Sequence, residues 1–134
     1  MILLTGLITV PAYSASPKIA QEYSGGIVFY LDGSGHHGLI VSKSDISGKF
    51  TWSEAKAACK NLEINGYSDW FLPDKDQLYQ LYFHRNVLDG FADDFYWSST
   101  ESSPGGAWGL DFDCGCKDQD DEAVYGRVRP VRIF

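Results

Sequence analysis

Two helix-start signals in the middle of the chain, bracketed by short β-prone runs, most limit what it can fold into. Thr51 with Glu54, and Asp74 with Gln77, each have the spacing of a capping box, in which two side chains satisfy backbone N–H groups at a helix N-terminus. Trp52, Ala55, Cys59 and Leu62 follow the first signal at spacings of three, four and three, which places them on one helical face. Leu78, Leu81 and Tyr82 form the corresponding stripe after the second. Asn65-Gly66 ends the first helix, and Pro73 stops a short apolar strand over 70–72. Upstream, residues 27–31 and 38–42 flank Asp32-Gly33-Ser34-Gly35, which reads as a strand–turn–strand hairpin. Downstream, 95–99 and 107–112 read as strands, and 114–122 as a polar loop. Pro130 suits the closing run 125–134 to a sheet edge or a bulge. Two helices with strands before and after them lack the alternation of a parallel α/β fold. The pattern is α+β: two short helices packed on a twisted, largely antiparallel sheet. There is no internal repeat or low-complexity tract.

A length of 134 residues suits one domain. An aromatic content of 15% argues against disorder. The net charge of -7 disfavours nucleic acid, anionic membranes and sulfated polysaccharides as partners, unless a local basic patch exists. The basic residues that do gather are Arg127, Arg129 and Arg132, of which Arg129 and Arg132 suit pairing with buried carboxylates such as Asp69 or, equally, a solvent-facing strand edge. No stretch approaches the ~20 apolar residues of a membrane span. Residues 2–10 are nearly all apolar and are followed by Pro11-Ala12-Tyr13-Ser14-Ala15-Ser16, the pattern of a secretory signal peptide. Residues 1–24 therefore read as signal peptide and linker, and 25–134 as the domain, secreted, periplasmic or at the cell surface. No basic residue precedes the apolar run, so a buried N-terminal strand is the alternative. No Cys lies at the junction to carry a lipid anchor.

Three cysteines are disulfide candidates: Cys59, Cys114 and Cys116. In an oxidising compartment two can pair, leaving one over. A Cys114–Cys116 bridge would close a tight, strained ring, so Cys59 with one of the others is the simpler choice. Three free thiols is the alternative. Zinc is a weak option, because Cys-x-Cys is not the usual Cys-x-x-Cys spacing.

The acidic segment is the first candidate site. Asp111, Asp113, Asp118, Asp120, Asp121 and Glu122 fall close together. Calcium takes roughly 6–8 oxygens, and Asp118, Asp120, Asp121 and Glu122 are the residues to supply them; the bland alternative is a solvated acidic loop. No other cofactor is expected. Trp108, after the turn Pro104-Gly105-Gly106, joins Asp111, Asp113, Asp118 and Asp120 as a ligand-binding candidate. Trp70, Tyr96 and Trp97 sit in apolar strands and read as core, although Trp faces also stack on sugars. Adjacent His36 and His37 read as a surface turn, because neighbouring strand residues point apart. His84 reads as the end of the second helix. The chain carries no Gly-x-Ser-x-Gly, phosphate loop or His-Glu-x-x-His. A Cys59–His84 dyad is disfavoured because Cys59 faces the helix stripe. The expectation is no enzyme.

Several motifs, taken in order, resemble a known family. They are Gly25-Gly26-Ile27-Val28-Phe29-Tyr30, then Thr51-Trp52-x-x-Ala55 through Cys59, then Gly66-Tyr67-Ser68-Asp69-Trp70-Phe71-Leu72-Pro73, then Tyr96-Trp97-Ser98-Ser99-Thr100-Glu101, with the tail Arg127-Val128-Arg129-Pro130-Val131-Arg132. In this order they are similar to the C-terminal domain family of the bacterial collagen-like adhesin Lcl. That resemblance implies a C-type-lectin-like fold and an exported adhesion or recognition module, whose partner is a glycan or a surface protein. A structural or assembly module, including a homo-oligomer, is the second expectation, and an enzyme of the similarly folded sulfatase-activating oxidases the third. Family members often carry a Cys near the C-terminus that suits pairing with the helix Cys. Here Pro130 occupies that region, which leaves Cys114 or Cys116 to Cys59. The family adhesin is linked to sulfated polysaccharides, which the negative charge of this chain disfavours.

Overall fold

The computed structural model describes residues 16–134. The signal-peptide assignment over residues 1–15 lies outside them. Three strands come first: β1 (Glu22–Tyr23), β2 (Gly26–Leu31) and β3 (Gly38–Val41). Three helices follow: α1 (Trp52–Lys60), α2 (Lys75–Phe83) and α3 (Arg85–Leu88). The chain ends in β4 (Phe95–Ser103), β5 (Gly106–Asp111), β6 (Cys116–Asp121) and β7 (Val131–Ile133). Two antiparallel sheets result, one ordered β1-β2-β3-β7 and the other β4-β5-β6. The end of the chain returns to the first sheet, with Val41 opposite Val131 and Leu39 opposite Ile133. Pro130 precedes β7, which lies at the end of that sheet's order, as the proline requires. A parallel bridge from Tyr96 to Arg127 and an antiparallel one from Phe71 to Val131 stitch the connecting segments in.

Both capping boxes form. The Thr51 N–H donates to Glu54 Oε1 at 3.0 Å. Gln77 N–H donates to Asp74 Oδ1 at 2.7 Å, and Asp74 N–H to Gln77 Oε1 at 2.9 Å. Such caps contribute about 1 kcal/mol each. The larger stabilisation comes from the faces the helices bury. Trp52, Ala55 and Cys59 of α1 pack with Leu72, Trp97, Ala107 and Val128. Leu78 and Leu81 of α2 pack with Phe29, Val41, Tyr96, Leu110, Phe112 and Val131. A third cluster joins Val28, Ile40 and Trp70.

Neighbours along one strand therefore fall into different clusters: Tyr96 lies on the α2 side and Trp97 on the α1 side, while Val41 belongs to the α2 cluster and Ile40 to the third. Side chains alternate across a strand, so both faces of these strands are covered. That is why they read as continuous apolar runs rather than alternating ones. Trp70, Tyr96 and Trp97 are core, at 3%, 0% and 0% exposure. Trp52 Nε1 donates to the Ser98 carbonyl at 2.8 Å and Trp97 Nε1 to the Phe50 carbonyl at 2.8 Å, so each indole N–H keeps a partner in the interior.

The expected single sheet is two, the apolar run 70–72 carries only an isolated bridge at Phe71 in place of a strand, and four further expectations change. Residues 22–23, assigned to a linker, form β1, and Tyr23 packs edge-on against Phe134 with ring centroids 5.1 Å apart. A third, one-turn helix follows α2. The 114–122 segment is not a loop, because 116–121 pair in register with β5 from Gly106↔Asp121 to Asp111↔Cys116. Its pattern is unreadable as a strand because no residue of it is buried. The cysteine pairing changes for a related reason. Cys59 is fully buried under α1 and free, while Cys114 and Cys116 are bonded to each other. The hairpin turn decides this. Gly115 has φ 74°, which glycine adopts without steric cost, and its N–H donates to the Asp111 carbonyl at 2.8 Å. The two Cα atoms come within 5.2 Å, inside the usual disulfide span.

Candidate functional site

The most constrained polar structure is built around Arg129, whose side chain is 0% exposed. Its Nε donates to the Ser42 carbonyl at 2.8 Å. Nη1 donates to Asp45 Oδ1 and to the Gly90 carbonyl, and Nη2 to the Asp89 carbonyl, all at 3.2 Å. Asp45 also accepts the Tyr96 hydroxyl at 2.7 Å, and that hydroxyl accepts the Ala92 N–H at 2.9 Å. Burial works against the charge on Arg129, and Asp45 offsets it. Burial foremost, with the Asp45 contact, raises the Tyr96 hydroxyl well above the usual tyrosine range. A buried cation with this many partners fixes the backbone around it.

What it fixes is the loop after α3. Asp89 has φ 64° and Gly90 φ 79°. A non-glycine residue in that region is held there by its surroundings. Phe91 lies between the Arg129 guanidinium, 4.1 Å from its ring centroid, and Phe112, stacked at 4.9 Å and 19°. The loop and α3 enclose a surface recess of about 200 Å³ lined by Arg85, Asn86, Asp89, Phe91, Asp93 and Phe112, among others. Arg85 is itself positioned: its guanidinium sits 3.9 Å above the Tyr82 ring centroid and Nη1 donates to the Tyr82 carbonyl at 2.9 Å. The recess thus offers a cation, two carboxylates and an amide, with Phe91 and Phe112 completing its lining. It is smaller than the ~300–1,000 Å³ of pockets for drug-sized ligands, so it suits one polar end group.

The site residues expected from the sequence lie along the β5–β6 hairpin, and none of them lines this recess. Phe112, in the turn after β5, lines the recess. Asp111 Oδ1 accepts the Asp113 N–H at 2.9 Å and shapes the turn. Trp108 pairs with Gln119, half-buried, with Lys75 Nζ 5.3 Å from its ring centroid. Asp118 and Asp120 pair with Gly109 and Ala107 on one face of β6, and Asp121 falls on the other. Glu122 lies just beyond, its N–H donating to the Gly105 carbonyl at 3.0 Å. These residues lie in a row rather than around a point. Among the described residues, no group of three or more His, Cys, Asp or Glu is placed to hold a metal ion. Glu122 instead meets Glu101: burial, then this carboxyl neighbour, raises its pKa, and Oε2 is shielded without a hydrogen-bond partner.

The three tail arginines form no free cationic patch. Arg127 Nε is 2.8 Å from Asp94 Oδ2, and Lys49 Nζ is 2.9 Å from the same oxygen. Lys49 foremost, with Arg127, holds the Asp94 carboxyl down to about 2. Arg132 Nε is 2.7 Å from Asp69 Oδ1, the pairing expected for that carboxylate, and keeps its pKa below the usual range; Arg129 takes Asp45 instead. Burial pushes the Cys59 thiol up to about 12, which makes it inert. His36 and His37 are exposed in the β2–β3 turn. His84 caps α2, its N–H donating to the Gln80 carbonyl at 3.1 Å.

The sequence alone did not single out Arg85, Asn86, Asp89, Phe91 or Asp93. The available signal was Asp89-Gly90, a turn dipeptide closely following α2. It marks a bend, not a recess.

Sheet order, buried clusters and recess together define a small α+β domain with a polar recess beside α3. Residues 34–132 match the model of the Lcl C-terminal domain, and the chain belongs to that family. No curated protein matches the chain.

Proposed function

We propose that this is an exported, non-catalytic recognition module of C-type-lectin-like fold, which holds a glycan end or a polar side chain of a surface protein in the Arg85–Asp93 recess. Membership of an adhesin domain family supports the class. The observation that carries the reading is the buried Arg129, which pins the Asp89 and Gly90 carbonyls. A recess fixed before binding loses little conformational entropy when a ligand enters. Arg85, Asn86 and the carboxylates suit the hydroxyls of a sugar.

Arrays of glycans and of host and envelope proteins test this. The expected result is a saturable ligand whose binding falls at least about ten-fold on Asp93→Asn or Asn86→Ala, the scale of one lost charge-assisted hydrogen bond. If Trp108→Ala or Asp118→Asn abolished binding and the recess variants did not, the site would be the β5–β6 hairpin. No ligand on either array, together with a stable oligomer in light scattering, would replace recognition by an assembly role. Calorimetric titration with millimolar calcium tests the hairpin carboxylates separately.

A further inference from the structure

We propose that Cys114–Cys116 is a thiol–disulfide exchange site, with small neutral or cationic thiols, or protein thiols in a basic setting, as its co-reactants. Both residues are exposed, so the bridge is open to an incoming thiolate. The bridge spans a sequence separation of 2. A disulfide restricts the unfolded chain less as the loop it closes shortens, so this one adds little to stability. The turn has other supports: the β5–β6 ladder runs to Asp111↔Cys116, and the Gly115 N–H bonds to the Asp111 carbonyl. Opening the bridge therefore leaves the hairpin in place. Exposed bridges of this kind belong to the labile class of disulfides. Cys59 is the internal contrast, being fully buried and without a partner sulfur.

The chemistry balances as an exchange. An external thiolate attacks one bridge sulfur and forms a mixed disulfide, releasing the other cysteine as thiolate, which takes a proton. A second external thiol resolves the mixed disulfide. Two external thiols are oxidised to one disulfide, and Cys114 and Cys116 gain two electrons and two protons. The reverse reaction closes the bridge on a disulfide of the same class.

Selectivity follows from the surroundings. Cys116 stands opposite Asp111 in the ladder, and Asp118, two residues along, shares its strand face. Asp113 adjoins Cys114. Lys117 falls on the other face of β6, its Nζ 5.0 Å from the Tyr79 ring centroid. An anionic thiol such as glutathione meets this carboxylate rim with repulsion, and an aminothiol such as cysteamine does not.

The test uses the folded wild-type chain. It is treated with cysteamine or glutathione at equal thiolate concentration, quenched with an alkylating agent and mapped by peptide mass. Cys114 and Cys116 are expected to label together while Cys59 stays protected and the circular dichroism is unchanged. Cysteamine is expected to act about ten-fold faster than glutathione at low salt, after correction for their rates on an uncharged disulfide. The ratio is expected to fall toward one near 1 M salt, where the Debye length is ~3 Å. Cys59→Ala, which leaves only the pair, gives the same count by direct thiol titration; peptide mapping of the wild type serves if that variant does not fold. Labelling of all three cysteines at one rate, reduction only on unfolding, or glutathione matching cysteamine at low salt would overturn the proposal.

Discussion

Replacing Arg129 with methionine removes the cation and keeps much of the side-chain volume beneath Phe91. The Asp45 carboxylate, 16% exposed, then loses its buried partner, and the carbonyls of Ser42, Asp89 and Gly90 lose theirs. Breaking a buried pair by removing one partner costs about 3–5 kcal/mol, because an uncompensated charge stays behind. Whole domains are stable by only about 5–15 kcal/mol, so this change consumes much of the margin. At about 4 °C per kcal/mol for a chain of this size, the melting temperature should fall by roughly 12–20 °C. Urea denaturation should show a lower midpoint at an unchanged slope. A double-mutant cycle isolates the pair. Asp45→Asn in the Arg129→Met background should cost under about 1 kcal/mol, since its nearer, buried cation is already gone and only the half-exposed Arg127, 4.0 Å away, remains, leaving a coupling of about 2 kcal/mol or more. A loss below about 1 kcal/mol for Arg129→Met, or additive single and double variants, would refute the claim that this network holds the loop.

The Glu101–Glu122 contact gives a pH-dependent expectation. Burial and then Glu101 raise the folded-state pKa of Glu122 above the usual glutamate range, so the penalty is absent at pH below that range and appears as pH rises through the folded pKa. Glu122→Gln, which also gives the shielded end of the side chain a donor, should raise the melting temperature at pH 7 and leave it unchanged at pH 3.5; equal effects at both would remove electrostatics as the cause. Gly109 packs against the Phe95 ring and the Tyr96 carbonyl, with no room for a Cβ. Gly109→Ala should therefore destabilise by about 1–3 kcal/mol, the scale of overpacking, in the same urea assay, whereas Gly105→Ala, where a Cβ meets no neighbour but φ is 84°, should cost about 1 kcal/mol from backbone strain alone.

The parts of the fold that could be read without coordinates are those decided within a few residues. Thr51/Glu54 and Asp74/Gln77 specify helix starts locally, Asp32–Gly35 specifies a turn, and the apolar runs around Val28, Ile40 and Trp97 announce strands covered on both faces. The class of the fold and the burial of Trp70 and Trp97 followed from these. Strand β6 did not, because an edge strand with no buried residue carries no apolar pattern; only its neighbour β5 makes it a strand.

Chain position alone also could not choose partners. Arg129 and Asp45 are 84 residues apart, and Arg132 and Asp69 are 63 apart. Nothing local distinguishes one carboxylate from another until the sheets bring a particular pair together. The cysteines make the same point in reverse: Cys59 is committed to the interior by its helix face, and a glycine at φ 74° lets Cys114 and Cys116 meet. Local backbone preferences thus determined the two long helices and the apolar strands of this protein, though not β6. Which charges are buried, which thiols are exposed and where a recess opens were decided by packing across the two sheets, because desolvation and pairing depend on neighbours far away in sequence.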